Sequence, residues 1–114
     1  MRNRHAAANY LSCYLSGSGL SRREVAERIG LSKPNALAMM AHSHLPIPLK
    51  LIRPLSEVLG CPPREFLSVW LEVTHPEVYA ELRAADPEGR VLPLPPDELE
   101  VFVRTIPGLK PAAL

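Results

Sequence analysis

Aromatic residues are scarce in this chain, at 5% of its 114 positions, while Leu, Ala and Val are abundant. That balance favours helical packing over a sheet sandwich. No stretch approaches the roughly 20 apolar residues that a membrane span requires, so no membrane association is expected. The opening Met1-Arg-Asn-Arg-His lacks the apolar run of a signal peptide, and the expected compartment is the cytoplasm. There are two cysteines, Cys13 and Cys61, without CxxC spacing, which argues against a disulfide framework and against a zinc site. The four histidines, His5, His42, His44 and His75, have no metal-ligand arrangement, although His42 and His44 could trap an adventitious ion. Gly-rich phosphate cradles are missing, as are a Ser or Cys nucleophile with a local base signature and an acidic pair in an apolar setting. The expectation is a protein that is not an enzyme and needs no cofactor.

Net charge is also nearly absent, at +1, but its distribution is uneven. Residues 1–64 carry nine Lys/Arg against three Glu, a net of +6, and residues 65–114 carry four against nine acids, a net of −5. A basic binding half attached to an acidic, non-binding half would look like this; so would a chance split of solvated charges.

What is present centres on Leu20 to Met40, LSRREVAERIGLSKPNALAMM. Ser21 with Glu24 three residues later is a capping box, and Leu20 can fold onto Val25 as a hydrophobic staple. Val25, Ala26 and Ile29 form an apolar stripe at helical spacing, and Gly30 offers a left-handed stop. Ser32 is the expected cap of a following helix with Pro34 in its first turn, whose buried positions would be Ala36 and Met39 or Met40. Ala26 is small where the second helix must cross the first closely. This spacing resembles the helix-turn-helix of the lambda-repressor-like (Cro/cI, XRE) DNA-binding family.

Around that unit, residues 4–15 read as a first helix with Ala7, Tyr10 or Leu11, Tyr14 and Leu15 inward, broken by Ser16-Gly17-Ser18-Gly19. Pro48 suits a first helical residue, after which Leu49, Ile52, Leu55, Ser56 and Leu59 repeat at three and four up to Gly60. Cys61-Pro62-Pro63 opens a fifth helix with Phe66, Leu67, Trp70, Leu71 and Val73 as apolar members. The expected fold is all-α: a five-helix lambda-repressor-like DNA-binding domain over residues 1–73, with a short C-terminal helical appendage. KPNALAMM and the segment from Leu45 to Glu77 look like those of a group of small proteobacterial helix-turn-helix proteins. The chain departs from that group at Ala38, Ala41 and His42-Ser43.

Thr74 and Glu77 form a second capping-box pattern with Pro76 between them, opening a helix to about Ala84. Asp86-Pro-Glu-Gly89 is a turn signal, Arg90 to Pro96 cannot be helical, and Asp97 to Thr105 suits one more helix. Residues 107–114 read as a disordered tail. The extension over 74–106 is too small for its own core, so its apolar faces must pack on the first domain or on a second copy. A homodimer contact is favoured, because paired recognition helices about 34 Å apart can enter successive major grooves.

The resemblance implies double-stranded DNA as partner and gives roles to particular residues. Arg22 and Arg23 would hold phosphate, with Lys50, His44 and Ser43 as further candidates. Ser32, Lys33 and Asn35 crowd the exposed start of the third helix, where Asn can bond adenine and Lys can reach guanine. Asn35 could equally cap its own helix. Leu37, Ala38 and Ala41 face neither the expected core nor a polar partner; they could meet thymine methyl groups or form a protein-binding surface. The expected function is a sequence-specific, dimeric transcriptional regulator, a repressor for want of an activation segment. The alternative is a protein-interaction module, or an antitoxin-like partner binder, on the same scaffold.

Overall fold

Short amphipathic segments punctuated by glycine and proline fold here into helices that can bury an apolar side only against one another. The computed structural model describes residues 4–93, which form six α-helices and no strand. These are α1 (Ala6–Gly17), α2 (Arg22–Arg28), α3 (Pro34–Ala41), α4 (Ile52–Leu59), α5 (Pro63–Thr74) and α6 (Pro76–Ala85), with a 3₁₀ turn at Leu49–Leu51 before α4. The all-α expectation holds. Among the described residues no helix is long and apolar enough to cross a membrane.

The core is built where α1 lies on α5 and α3. Tyr10 of α1 stacks on Phe66 of α5 and tilts against Tyr14, with ring centroids 5.0 Å apart in both pairs. The Tyr10 hydroxyl donates to Glu65 Oε1 at 2.7 Å, so this buried carboxylate has a partner. Leu11, Val25, Leu37, Leu55 and Phe66 are fully enclosed. Trp70 closes one end: its indole N–H donates to the Ile47 carbonyl at 2.7 Å and fastens the loop after α3 to α5. Cys61 is buried, which pushes its thiol up, and Cys13 is half-buried; neither forms a disulfide.

Several boundaries differ from expectation, each for a local reason. The first helix runs two residues further, to Gly17, and the left-handed break falls at Gly19 (φ +75°). Pro48 is extended (φ −66°, ψ 141°) and precedes the 3₁₀ turn instead of opening an α-helix. Pro54 accounts for this: with no N–H and a ring that meets the carbonyl four residues back, it cannot sit inside an α-helix begun at Pro48. The chain tightens into 3₁₀ and restarts at Ile52, so Leu51 turns inward while Leu49, expected inside, is 57% exposed. The Thr74 capping box does not form, because Thr74 is the last residue of α5 and α6 starts from His75 without a side-chain cap.

Helix α6 packs along α5 but buries none of its residues fully; Tyr79 and Leu82 are half-buried and Val78 is exposed. The chain then returns to α5. The turn signal at residues 86–89 is real: Gly89 (φ +71°) donates to the Asp86 carbonyl, and the Asp86 carboxylate accepts from the Arg90 and Val91 amides at 2.9 and 2.8 Å. These two bonds hold the carboxyl below its ordinary pKa. Arg64 of α5 donates to the carbonyls of Arg90 and Val91, Ser68 to Pro93 at 2.9 Å, and Arg83 to Leu92, whose side chain is buried. The expected helix over 97–105 and the tail at 107–114 lie outside the described residues.

Candidate nucleic-acid interface

The α2–α3 unit is set by its ends. Ser21 Oγ accepts from the Glu24 amide at 3.1 Å and Glu24 Oε1 accepts from the Ser21 amide at 3.2 Å, so the capping box is complete. At the other end Leu31 donates to the Ala26 carbonyl at 2.8 Å and Gly30 donates to Glu27 at 3.2 Å, with Gly30 at φ +77°. This is a Schellman motif, with Leu31 partly buried against the core behind it. Ala26 is wholly enclosed in the contact with α3, where a longer side chain would hold the helices apart. Start, stop and crossing point are therefore all local properties of 21–31.

Arg22 and Arg23 leave the first turn of α2 into solvent, and neither has an ion-pair partner among the described residues. The backbone contributes less than expected. The capping box uses one first-turn N–H and places the Glu24 carboxylate at the helix start, so guanidinium charge is what this end offers a phosphate.

Helix α3 begins one residue later than expected. The residue before a proline is driven out of the α region, so Lys33 is extended (φ −120°, ψ 104°) and takes the cap position, leaving Ser32 outside the helix with no capping role. Ser32, Lys33 and Asn35 are all exposed. Asn35 does not cap its helix: its carboxamide N–H meets only Met39 Sδ at 3.9 Å, a weak contact that leaves the group available.

The rotation of α3 corrects the reading of its apolar residues. Leu37 is wholly buried and Met40 and Ala41 nearly so, while Ala36, Ala38 and Met39 are half-buried. Leu37 and Ala41 therefore belong to the core and cannot contact DNA. Placing Ala36 inside would leave a leucine in water, and enclosing a leucine is worth roughly 2 kcal/mol more than leaving it exposed. With Leu37, Met40 and Ala41 inward, the outer stripe is Asn35, Ala38, Met39 and His42 at helical spacing. Met39 and His42 are outward positions that sequence reasoning missed, and fixing Leu37 inside would have found them.

The loop candidates fall elsewhere. Ser43 sits at φ +67°, closing α3 by the same two bonds that close α2, from His44 to Met39 at 2.7 Å and from Ser43 to Met40 at 3.2 Å. Its hydroxyl is 2.7 Å from His5 Nδ1, so it is engaged with α1's leading edge. His44 is exposed and borders, with Arg4 and His5, a cleft of about 500 Å³. His42 and His44 stand with ring centroids 6.4 Å apart, and no cluster of three metal-ligating groups occurs among the described residues. Lys50 is gathered with Arg53 and Arg64 around a separate groove beside the 3₁₀ turn, apart from the hollow that Arg22 borders. Arg64, counted among the basic half, is committed to backbone carbonyls.

Comparison of the chain with protein-family models, with curated proteins and with solved structures finds no match.

Proposed function

We propose that the chain is a sequence-specific DNA-binding regulator of lambda-repressor-like type, acting in the cytoplasm as a dimer and repressing by occupying its operator. The observation that carries this reading is the outward face of the α2–α3 unit. Two arginines on α2, exposed and without an ion-pair partner among the described residues, adjoin an α3 that presents Lys33 and Asn35 at its N-terminal end and packs its leucine inward. Arg22 and Arg23 would set affinity through phosphate charge. Lys33 and Asn35 would read base edges in the major groove, with Ala38, Met39 and His42 following along the helix. Lys50, His44 and Ser43 are secondary to these, since the first lines another groove and the last is tied to His5.

The test is DNA binding by fluorescence anisotropy across a salt series, using the region upstream of the chain's own gene and a scrambled duplex. Arg22→Ala with Arg23→Ala should weaken both complexes and flatten the log–log salt slope by about 1.8, at one phosphate per arginine. Asn35→Ala should instead narrow the gap between the two duplexes by about 1–3 kcal/mol. Absence of any complex at low salt would remove the reading. The competing one, a protein-docking module, draws support from the exposed Leu49 beside Lys50 and Arg53.

A further inference from the structure

A groove of about 690 Å³ lies between the 3₁₀ turn with the start of α4 on one side and the first turn of α5 on the other. Leu49, Pro54 and Leu67 give it an apolar lining, and Lys50, Arg53 and Arg64 stand around it. Leu49 is 57% exposed, and Lys50 and Arg53 are exposed with no ion-pair partner among the described residues. A lone turn has nothing to gain from holding a leucine in water between two cations. The chemistry this surface fits is a segment that alternates carboxylates with large apolar residues.

The chain contains such a segment. Residues 97–106, DELEVFVRTI, place Asp97, Glu98 and Glu100 beside Leu99, Phe102 and Val103. Where the described chain ends decides whose groove the segment can enter. Arg64 holds the carbonyls of Arg90 and Val91, and Ser68, one turn further along α5, holds that of Pro93. At Pro93 the chain is travelling with α5, away from the part of the groove that Pro63 and Arg64 line. Only Leu94-Pro95-Pro96 separate it from Asp97. A link of three residues spans at most about 10 Å.

We infer that residues 97–106 of one chain dock in the groove of a second copy, the exchange being made twice about a two-fold axis. The inference rests on the dimeric part of the function proposed above and supplies its contact. An isologous pair makes each contact twice, so a segment too short to hold a partner alone acts in duplicate. Carboxylates meeting Lys50 and Arg53 give the contact its polarity, and Leu99 and Phe102 meeting Leu49 and Leu67 give it apolar area.

The experiment reads mass, without DNA, and so is independent of whether the chain binds an operator. The full-length chain is followed by light scattering and sedimentation over a concentration series. It is compared with two charge-reversed chains, Lys50→Glu/Arg53→Glu and Glu98→Lys/Glu100→Lys. Lys50 and Arg53 are exposed, and far-ultraviolet circular dichroism checks that each reversed chain keeps its helices. The wild type should dimerise, and each reversed chain alone should dissociate at least tenfold more readily. Mixing the two reversed chains should restore a 1:1 heterodimer, because each altered groove then meets an altered segment of opposite sign. Leu49→Ala, which removes no enclosed contact, should also loosen the wild-type dimer. A wild type that stays monomeric overturns the proposal, as it would if the segment turned back on its own chain. Reversed chains that dimerise as well as the wild type also overturn it, since the contact would then lie on another face.

Discussion

Arginine is put to opposite uses at the two ends of this molecule. In the α2–α3 unit, Arg22 and Arg23 stand in solvent with no ion-pair partner among the described residues. In the returning segment after α6, Arg64 and Arg83 are turned onto the carbonyls of residues 90–92, and the path of the chain depends on them. The first pair is charge held ready for a partner; the second is charge already spent on backbone. Counting cations along the sequence cannot separate these uses, and the +6 of residues 1–64 overstates the free positive surface by at least Arg64.

The comparison breaks most severely if the outward unit loses its seat. Leu37 is fully enclosed and is what fixes α3 in rotation. Leu37→Ala should cost about 2–5 kcal/mol of unfolding free energy, measured by urea denaturation. An effect below about 1 kcal/mol would mean that α3 can turn, and that its outer stripe is not the one described.

The next effect sharpens the contrast directly. Arg64→Ala removes a charged donor from two carbonyls and should cost on the order of 1 kcal/mol, discounted for its exposure. Faster amide exchange should follow at Val91 and Leu92. Arg22→Ala with Arg23→Ala should change stability by less than about 0.5 kcal/mol, as expected for surface groups without partners. Comparable losses from the two variants would erase the distinction between ready and spent charge.

What could be read from the sequence follows the same division. The capping box at Ser21 and Glu24, the stop at Gly30 and the turn at Asp86 are each settled within five residues, and all three stand where the sequence places them. The inward set of α1 was also legible, because Tyr10, Leu11, Tyr14 and Leu15 allow only one apolar face. The phase of α3 was not, because its composition is apolar all round and only the bundle decides which side is enclosed. Pro54 signalled the 3₁₀ turn, but its effect acts through the carbonyl four residues back and was hidden by the regular spacing of Leu49 and Ile52. Ser43 in a left-handed conformation carries no local signal in the residue itself, although His42-Ser43 already stood out as a departure from the resembled group. A serine there costs roughly 1 kcal/mol against glycine, and its tie to His5 spans 38 residues of sequence. At the candidate interface the outward placement of Arg22, Arg23, Lys33 and Asn35 was legible, while Leu37, Met39 and His42 were misplaced or missed through the single error in phase.

The smallest expected effect concerns the turn that starts the return. The Asp86 carboxylate accepts from the amides of Val91 and Arg90, and its pKa is lowered from an ordinary 3.8. A group whose folded pKa is depressed stabilises the fold above its unfolded value and loses that contribution as pH falls through the folded one. The turn should therefore be fully held at neutral pH and released below about pH 3.8. Amide chemical shifts of Arg90 and Val91 followed down the pH scale should titrate together with a midpoint under 3.8, and Asp86→Asn should abolish that shared step. If Leu31 and Gly30, which close α2 through backbone bonds alone, move at the same pH, the two ends of the molecule are one cooperative unit, and the return segment is as much part of the core as the helices it lies on.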